Sequence, residues 1–407
     1  MNAQAESTMS VQQKTVYTIL FTISFSHLLN DLMQSVLPSV YPVIKDKYNF
    51  SFTQIGIITL VFQLTASILQ PFVGAYTDKK PKPFSLALAM VFTLSGIVTL
   101  SLASDFSYLL LAAGLVGLGS SVFHPEASRV AYLASGGKKG LAQSIFQLGG
   151  NAGSALGPLL AALIVIAYGQ SSILWFSVVP VLGVIILLAV GKWYQEHLSW
   201  RKNNAVRVVT EFAHGLSRKR VILSIGILLA LVFSKYIYMT SMTSYFTFFL
   251  IDKFDVSVQA SQYYLFAFLL AVAIGTIIGG PLGDRFGRKY VIWFSILGAA
   301  PFTLLLPYVD LFWTVFLAMV IGLIIASAFS AILVYATDLV PSRIGMIAGL
   351  FFGFMFGIAG IGSALLGKLA DETSIGYVFR LCAFLPLLGI ITVFLPSVSH
   401  TSKGLRH

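Results

Sequence analysis

A histidine and an aspartate lie one helical turn apart in a strongly apolar stretch near the start of the chain. His27, Asn30 and Asp31 would share one flank of a helix, because residues three and four apart face the same side. Low-dielectric surroundings push a carboxylate toward its protonated form, so Asp31 can load and release a proton that His27 shares or orients. We predict a proton-coupling role for Asp31 and His27; a permanently paired structural aspartate is the alternative.

A second apolar stretch carries three ionisable residues, His124, Glu126 and Arg129. Glu126 and Arg129 are three residues apart, close enough to pair on one helix. We predict that His124 and Glu126 take part in proton coupling. We also predict that Arg129 alternates between Glu126 and an anionic substrate; a static ion pair that closes the cytoplasmic side is the alternative.

A lysine, Lys235, lies near the middle of a third apolar stretch, next to Tyr236. A cation at membrane depth attracts a phosphonate or a carboxylate, so we predict that both residues contact substrate; snorkelling of the lysine to an interface is the alternative. Neutral polar residues elsewhere are predicted to hydrogen-bond the same substrate or, alternatively, neighbouring helices: Asn30, Gln63, Gln143, Gln147 and Asn151.

The elements that position these residues must lie in lipid. Hydrophobic residues make up 57% of the 407 residues and charged ones only 10%, whereas an ordinary soluble domain has roughly 25% charged residues. A spanning helix needs about 20 mostly apolar residues and satisfies its own backbone. Twelve segments qualify, so we predict an all-α membrane protein with twelve transmembrane helices: 16–41, 53–77, 84–103, 107–133, 141–167, 171–193, 220–249, 258–282, 289–308, 311–337, 344–369 and 375–396.

Basic residues predict the orientation of these helices. With a cytoplasmic N-terminus, most of the 26 Lys and Arg residues fall in cytoplasmic segments, and an even number of spans puts both termini in the cytoplasm. The net charge of +11 is then explained by topology, without nucleic acid. The single cysteine, Cys382, excludes a disulfide framework and a multi-cysteine metal site.

The chain divides into two halves. A polar cytoplasmic linker, residues 195–219, separates an N-terminal six-helix bundle, 1–194, from a C-terminal six-helix bundle, 220–407. A repeat of six spans is typical of transporters whose two bundles rock about a central site. We therefore predict two pseudo-symmetric bundles that work by alternating access.

A loop motif occurs in both halves. Gly74-x-x-x-Asp78 follows the second segment, and its counterpart ends at Asp284, 206 positions after Asp78. An acid and several cations at helix ends can join neighbouring helices on the cytoplasmic side, so we predict a latch; simple positive-inside topology is the alternative. The predicted latch residues are Gly74, Asp78, Asp284, Arg285, Arg288 and Lys289.

Twelve spans, a basic central loop and this loop motif resemble the major facilitator superfamily. The resemblance implies a small-molecule substrate, a lipid bilayer and an ion gradient in place of a cofactor, and we expect a monomer. Ala113 stands where many proton-coupled members of the family have an arginine, so Glu126 and Arg129 are candidates for that relay.

Residues 26–31, 121–126, 143–147 and 234–236 more closely resemble the fosmidomycin-exporting members of the superfamily. This resemblance implies proton-driven efflux of a phosphonate antibiotic across the bacterial inner membrane. The run Gly153-x-x-x-Gly157-Pro158 resembles the span-five motif of drug/proton antiporters, although alanines replace two later glycines of that motif.

Two other functions stay open. A proton-coupled transporter of a small anionic metabolite, such as a sugar phosphate or an organic acid, would use the same lysine and arginine. An intramembrane enzyme would use His27, His124 and Glu126 as metal ligands, but two repeated bundles favour rocking, so we predict neither a metal nor an enzymatic activity. The sequence has no phosphate-binding Gly-x-x-x-x-Gly-Lys-Ser/Thr loop, and few acids lie in the spans, so protons are the predicted energy source.

Overall fold

The computed structural model describes residues 15–40, 44, 47–49, 52–203, 216–256 and 258–396, and over these residues the regular structure is entirely helical. The helices are α1 (Tyr17–Ser39), α2 (Phe52–Lys79), α3 (Ser85–Leu102), α4 (Phe106–Ala134), α5 (Lys139–Tyr168), α6 (Val178–Asn203), α7 (Arg218–Phe254), α8 (Val258–Phe286), α9 (Arg288–Leu297 and Ala300–Leu305), α10 (Leu311–Ala326 and Ala328–Leu339), α11 (Ile344–Glu372) and α12 (Ile375–Cys382). Short 3-10 helices cover Gln170–Ser177, Leu306–Tyr308 and Leu385–Phe394. The predicted all-α fold is confirmed.

The helices have the length that a bilayer requires. Nine segments of the described residues are long and apolar enough to cross a membrane. Helices α1, α2 and α5 add 23, 28 and 30 residues, against about 20 for one crossing. Each of the twelve predicted spans therefore contains a helix of the described chain.

Helices extend into both ends of the predicted linker, residues 195–219. Helix α6 continues to Asn203 and α7 begins at Arg218, so the first residues of the predicted linker are helical. Residues 204–215, and the two termini at 1–14 and 397–407, lie outside the described residues.

Aspartates begin two corresponding helices of the two halves. Asp105 precedes α4, and its side chain accepts hydrogen bonds from the backbone N–H groups of Ser107 and Tyr108. Asp310 precedes α10, 205 positions later, and accepts one from Trp313. A side-chain oxygen at this position satisfies N–H groups that the first turn of a helix leaves unpaired. The repeat of the two halves thus extends to the signals that start their helices.

Two helix pairs make the most extensive contacts between the halves: α2 packs against α11, and α5 packs against α8. Where α2 and α11 meet, a Cβ added to Gly74 would lie 2.0 Å from the backbone oxygen of Gly345. Only glycine at position 74 allows this close approach. The span-five glycine Gly153 instead faces α1, where a Cβ would lie 2.2 Å from the oxygen of Leu28, so it packs within the first half. The side chains of residues 157–163 lie outside the described part of the structure.

Candidate functional site

Two helices of the first half bring His27, Asp31 and His124 together; we call these three residues the triad. His27 Nε2 lies 3.2 Å from Asp31 Oδ2, and His124 Nε2 lies 3.4 Å from Asp31 Oδ1. Both imidazoles are almost fully buried. The i,i+4 spacing in α1 explains the first contact, whereas the second joins α1 to α4. Three of the four predicted proton-coupling residues therefore meet at one point.

Neutral groups hold the triad in place. Asp31 Oδ1 accepts hydrogen bonds from the side-chain amides of Asn30, at 3.0 Å, and Gln34, at 3.2 Å. Ser120 of α4 in turn donates to Gln34 Oε1, at 3.0 Å. A Cβ added to Gly150 of α5 would lie 2.8 Å from Asp31 Oδ2 and still closer to the His27 ring. Glycine at position 150 therefore makes the space that the triad occupies.

Lys235 of α7 is buried among aromatic rings in the second half. Only 4% of its surface is exposed. Its Nζ lies 5.0 Å from the ring centre of Tyr236 and 5.5 Å from that of Phe329, distances at which a cation interacts with the π face. Over the described residues it has no hydrogen-bond or ion-pair partner. A buried cation without a counter-ion is unfavourable, which makes this lysine suited to receive an anion.

Two phenylalanines connect the triad with Lys235. The ring centres of His124 and Phe352 are 5.2 Å apart, and those of Phe352 and Phe329 are also 5.2 Å apart. Phe352 lies on α11 and Phe329 on α10. The path from the triad to Lys235 thus crosses from the first half to the second through packed rings.

Glu126 and Arg129 lie in a different network, at the end of the bundles that is predicted to face the cytoplasm. Arg129 pairs with Glu126 at 2.9 Å and with Asp78 of α2. Asp78 also accepts hydrogen bonds from the backbone N–H groups of Gly345, at 2.9 Å, and Met346, at 2.8 Å, which begin α11. A carboxylate at a helix N-terminus is favourable for both the free N–H groups and the helix dipole. We call Asp78, Glu126 and Arg129 the first latch.

A second latch joins the halves in the opposite sense and consists of Asp284, Arg288, Asp338 and Lys139. Asp284 of α8 accepts hydrogen bonds from the N–H groups of Gly140 and Leu141, at 3.0 and 3.1 Å, which begin α5. Arg288 lies 3.5 Å from Asp284 and also pairs with Asp338.

Lys139 pairs with Asp338 across the halves at 2.6 Å. Partial burial opposes the charge of Lys139, but the facing Asp338 carboxylate outweighs it and raises the pKa of the lysine. The cation therefore persists to higher pH than that of an ordinary lysine.

Other predicted latch residues make local contacts. Arg285 lies over the ring of Phe286, at 5.3 Å. Lys289 donates to the backbone oxygens of Val393 and Leu395 at the end of the last helical segment, at 3.0 and 2.5 Å. Both stay within the second half.

The predicted neutral substrate ligands make different contacts. Asn151 donates to Thr276 Oγ1 at 2.9 Å, a hydrogen bond between α5 and α8. Gln143 accepts from Ser128 at 3.1 Å. Within the described part of the chain, Oε1 of Gln63 and of Gln147 lacks a hydrogen-bond partner although it is buried. These two amides are thus available to a ligand, whereas Asn151 joins the two halves.

The triad offers three atoms to a shared cation, all within 4.8 Å of one another. The spacing would admit a metal ion, but Asp31 Oδ1 already accepts two amide hydrogen bonds, which favours protons. Glu126 lies in the first latch, so the described residues do not assemble His27, His124 and Glu126 into one metal site.

Sequence reasoning missed several contributors. Gln34 and Ser120 hold Asp31, and Lys139 joins the halves through Asp338, yet none of the three was predicted as a site residue. Gln34 was detectable, because it follows Asp31 by three residues on the same helix. The other two depend on contacts between distant segments.

Comparison with known proteins agrees with this architecture. A family model described as Major Facilitator Superfamily matches residues 23–272 and 236–407. The Fosmidomycin resistance protein of Escherichia coli (strain K12) is 56% identical over 391 residues, which cover 96% of each chain. An uncharacterized MFS-type transporter, YfnC, of Bacillus subtilis (strain 168) is 40% identical over 392 residues, again 96% of each.

A solved structure shares the fold. The crystal structure of the transporter FucP in the outward conformation superposes with a TM-score of 0.72, at 16% identity, over 95% of this chain and 99% of that one.

Proposed function

The chain belongs to the major facilitator superfamily, and we propose that it exports a small anionic drug, the phosphonate antibiotic fosmidomycin, in exchange for protons. It is a multi-pass membrane transporter of small molecules rather than an enzyme. The cargo is taken from the Escherichia coli relative, whose name is Fosmidomycin resistance protein. Export of this antibiotic would make the bacterial cell resistant to it.

One observation carries the proposal: two packed aromatic rings connect a buried group that can hold protons with a buried cation that can hold an anion. The triad supplies the first, and Lys235 supplies the second, with Phe352 and Phe329 between them. Ionisable residues at membrane depth are rare and mark ion or substrate pathways. Because the two groups lie in different halves, rocking of the bundles would change the contact between them.

We assign roles to the predicted residues on this basis. Asp31, His27 and His124 take and release protons, and Lys235 and Tyr236 contact the phosphonate. Gln147, with a buried oxygen that is free to accept, is suited to bind a donor group of the drug. Asn30 acts through Asp31, to which it donates.

Glu126 and Arg129 contribute through the first latch. A proton on Glu126 would remove the charge that Arg129 faces at 2.9 Å and so weaken the latch. Protonation would then favour opening on the cytoplasmic side, where the drug enters. In this scheme Arg129 binds substrate only when the latch is open.

The remaining assignments follow the family. We propose a monomer in the bacterial inner membrane with both termini cytoplasmic. The halves would comprise residues 1–194 and 220–407, joined by a linker at 195–219. Protons would be the only coupling ion, with no cofactor.

Inverted membrane vesicles test the exchange. Vesicles with an acidified interior and an entrapped pH-sensitive dye receive fosmidomycin from outside. Export by this protein moves the drug inward and protons outward, so the interior pH should rise, whereas vesicles without the protein should not respond. A protein-containing preparation that takes up labelled drug with no change in pH would contradict proton exchange.

The same vesicles distinguish the alternative function, transport of a small anionic metabolite. A sugar phosphate and an organic acid are added in place of the drug. A pH response to one of these, without a response to fosmidomycin, would replace the drug by a metabolite as the cargo.

A further inference from the structure

Two backbone oxygens determine which ring nitrogen of each triad histidine carries a hydrogen. His27 Nδ1 lies 2.8 Å from the backbone oxygen of Phe146, and His124 Nδ1 lies 3.0 Å from that of Ser120. A carbonyl oxygen only accepts, so each Nδ1 must carry a hydrogen. In a neutral imidazole the remaining nitrogen, Nε2, is then an acceptor.

Both Nε2 atoms face a carboxylate, which is also an acceptor when ionised. The two distances to Asp31, 3.2 and 3.4 Å, are those of ion pairs, and neither contact has the geometry of a hydrogen bond. Two acceptors at such a distance repel each other, and both imidazoles are buried. Each of the two contacts therefore requires a proton of its own.

The position of the first proton follows from the neighbours of Asp31. Its Oδ1 accepts from the amides of Asn30 and Gln34. Ser120 orients Gln34 by donating a hydrogen bond to its side-chain oxygen, Oε1. An oxygen that accepts two hydrogen bonds is not the hydroxyl of a protonated carboxyl group, so the proton between Oδ1 and His124 belongs to His124.

The second proton lies between His27 Nε2 and Asp31 Oδ2. That oxygen faces only His27 among the described residues, so either atom can carry the hydrogen. His27 is stacked on Phe146, with ring centres 4.0 Å apart, which keeps its Nε2 directed at Asp31.

No other charged side chain among the described residues compensates the charge of Asp31 at these two contacts. Glu126 and Arg129, on the same helix as His124, are paired with each other in the first latch. Helix α5 stacks Phe146 on His27, helix α11 places Phe352 and Phe356 against His124, and Lys235 of α7 lies beyond Phe352 and Phe329. The protons are therefore the only source of the missing positive charge among the described groups.

We propose that the triad binds two exchangeable protons, one on His124 and one shared by His27 and Asp31, and that both are exchanged for each substrate molecule. The charge of the triad then changes from −1 without the protons to +1 with both. This inference rests on the proposed proton-coupled export and adds its stoichiometry.

The drug gradient at which net transport reverses direction measures the number of protons exchanged per drug molecule. The purified full-length protein is reconstituted in vesicles with the membrane potential held at zero by potassium and valinomycin. Opposing gradients of fosmidomycin and of protons are imposed, both sides being kept alkaline to the second ionisation of the phosphonate. For a pH difference of one unit, net drug movement should stop at about a 100-fold drug gradient for two protons and about tenfold for one, since each proton contributes one factor of ten.

Substitution locates the protons. His124→Gln keeps an N–H donor for Asp31 without a titratable proton, so reversal should move to about tenfold; His27→Gln is a second variant with the same expectation. His197→Gln removes a histidine that stacks on Trp193, away from the triad, and should keep the wild-type value. Wild-type reversal at tenfold, or an unchanged value in a folded His124→Gln protein, would overturn the inference. Absence of any effect of pH on the drug gradient would instead refute the proposed proton exchange.

Discussion

The interiors of the two halves differ although their helices repeat. Both halves bury an ion pair at a latch, Glu126–Arg129 in the first and Arg288–Asp338 in the second. Deeper in the bundles they differ: the first half has the triad, whereas in the second half Lys235 lies against aromatic rings and has no ion-pair partner among the described residues. Duplication therefore conserves the helix starts and the latch pairs but not the chemistry of the interior. An acid that is held by hydrogen-bond and ion-pair partners, like Asp31, can change its charge without moving. A buried cation without a counter-ion, like Lys235, is suited to bind an anion.

The largest expected effect comes from removing the acid of the first half. Asp31→Asn keeps the shape and can still hydrogen-bond, but it eliminates the charge that both histidines face. We expect proton-driven efflux to fall by at least about 100-fold, as for other essential proton-transfer groups. Drug-induced pH change in vesicles measures it, with Asp310→Asn, at the start of α10, as the matched control. Wild-type exchange in a folded Asp31→Asn protein would remove the triad from the mechanism.

An intermediate effect is expected in the second half. Lys235→Met keeps the length and burial but removes the charge, and a charge-assisted hydrogen bond lost with it corresponds to about 10- to 100-fold in affinity. Equilibrium binding of fosmidomycin to the purified protein gives the value, without any proton gradient. Lys235→Arg should recover part of the affinity. Lys253→Met is the control, because Lys253 donates to the backbone oxygens of Pro307 and Val309 instead. Equal affinity in wild type and Lys235→Met would place the anion elsewhere.

The smallest effects separate the two latches. Asp78→Asn leaves Glu126 as the single ion-pair partner of Arg129 among the described residues, whereas after Asp284→Asn the residue Asp338 still holds Arg288 and Lys139. We expect Asp78→Asn to shift the population toward the cytoplasm-open state by about tenfold and Asp284→Asn by less than about fivefold, both within the usual range of coupling energies.

Distances between spin labels on cytoplasmic loops report this population. The labels are introduced after Cys382→Ser, which removes the only cysteine of the sequence. A larger shift for Asp284→Asn than for Asp78→Asn would contradict the expectation that Asp338 keeps the second latch closed after Asp284 is replaced.

The sequence predicted what lies along one helix and missed what lies between helices. The spacing of His27 and Asp31, and that of Glu126 and Arg129, gave contacts that the structure contains. Helical periodicity states which side chains share a face but not which neighbour that face meets. The contact of His124 with Asp31 joins α1 to α4, so pattern alone did not give it.

Packing between helices also decides where Arg129 and the glycines of α5 lie, which the sequence alone does not give. Arg129 was considered as a substrate ligand, and its placement with Asp78, 51 residues earlier, depends on how α2 and α4 pack. The run that begins at Gly153 resembles the span-five motif of antiporters, but the motif does not say which helix it meets: Gly153 packs on α1, and the nearby Gly150 makes space for the triad. Small residues indicate that another helix approaches closely, but they do not indicate which helix it is.

The carboxylates of Asp78 and Asp284 each cover the start of a helix that belongs to the opposite half. If the bundles part at this end, four backbone N–H groups, at positions 140, 141, 345 and 346, lose these acceptors together. Helix starts carry about half a positive charge each and readily bind phosphate-like ions. With the proposed orientation, opening would expose these positive helix starts to the cell interior, at the entrance through which the proposed anionic cargo arrives.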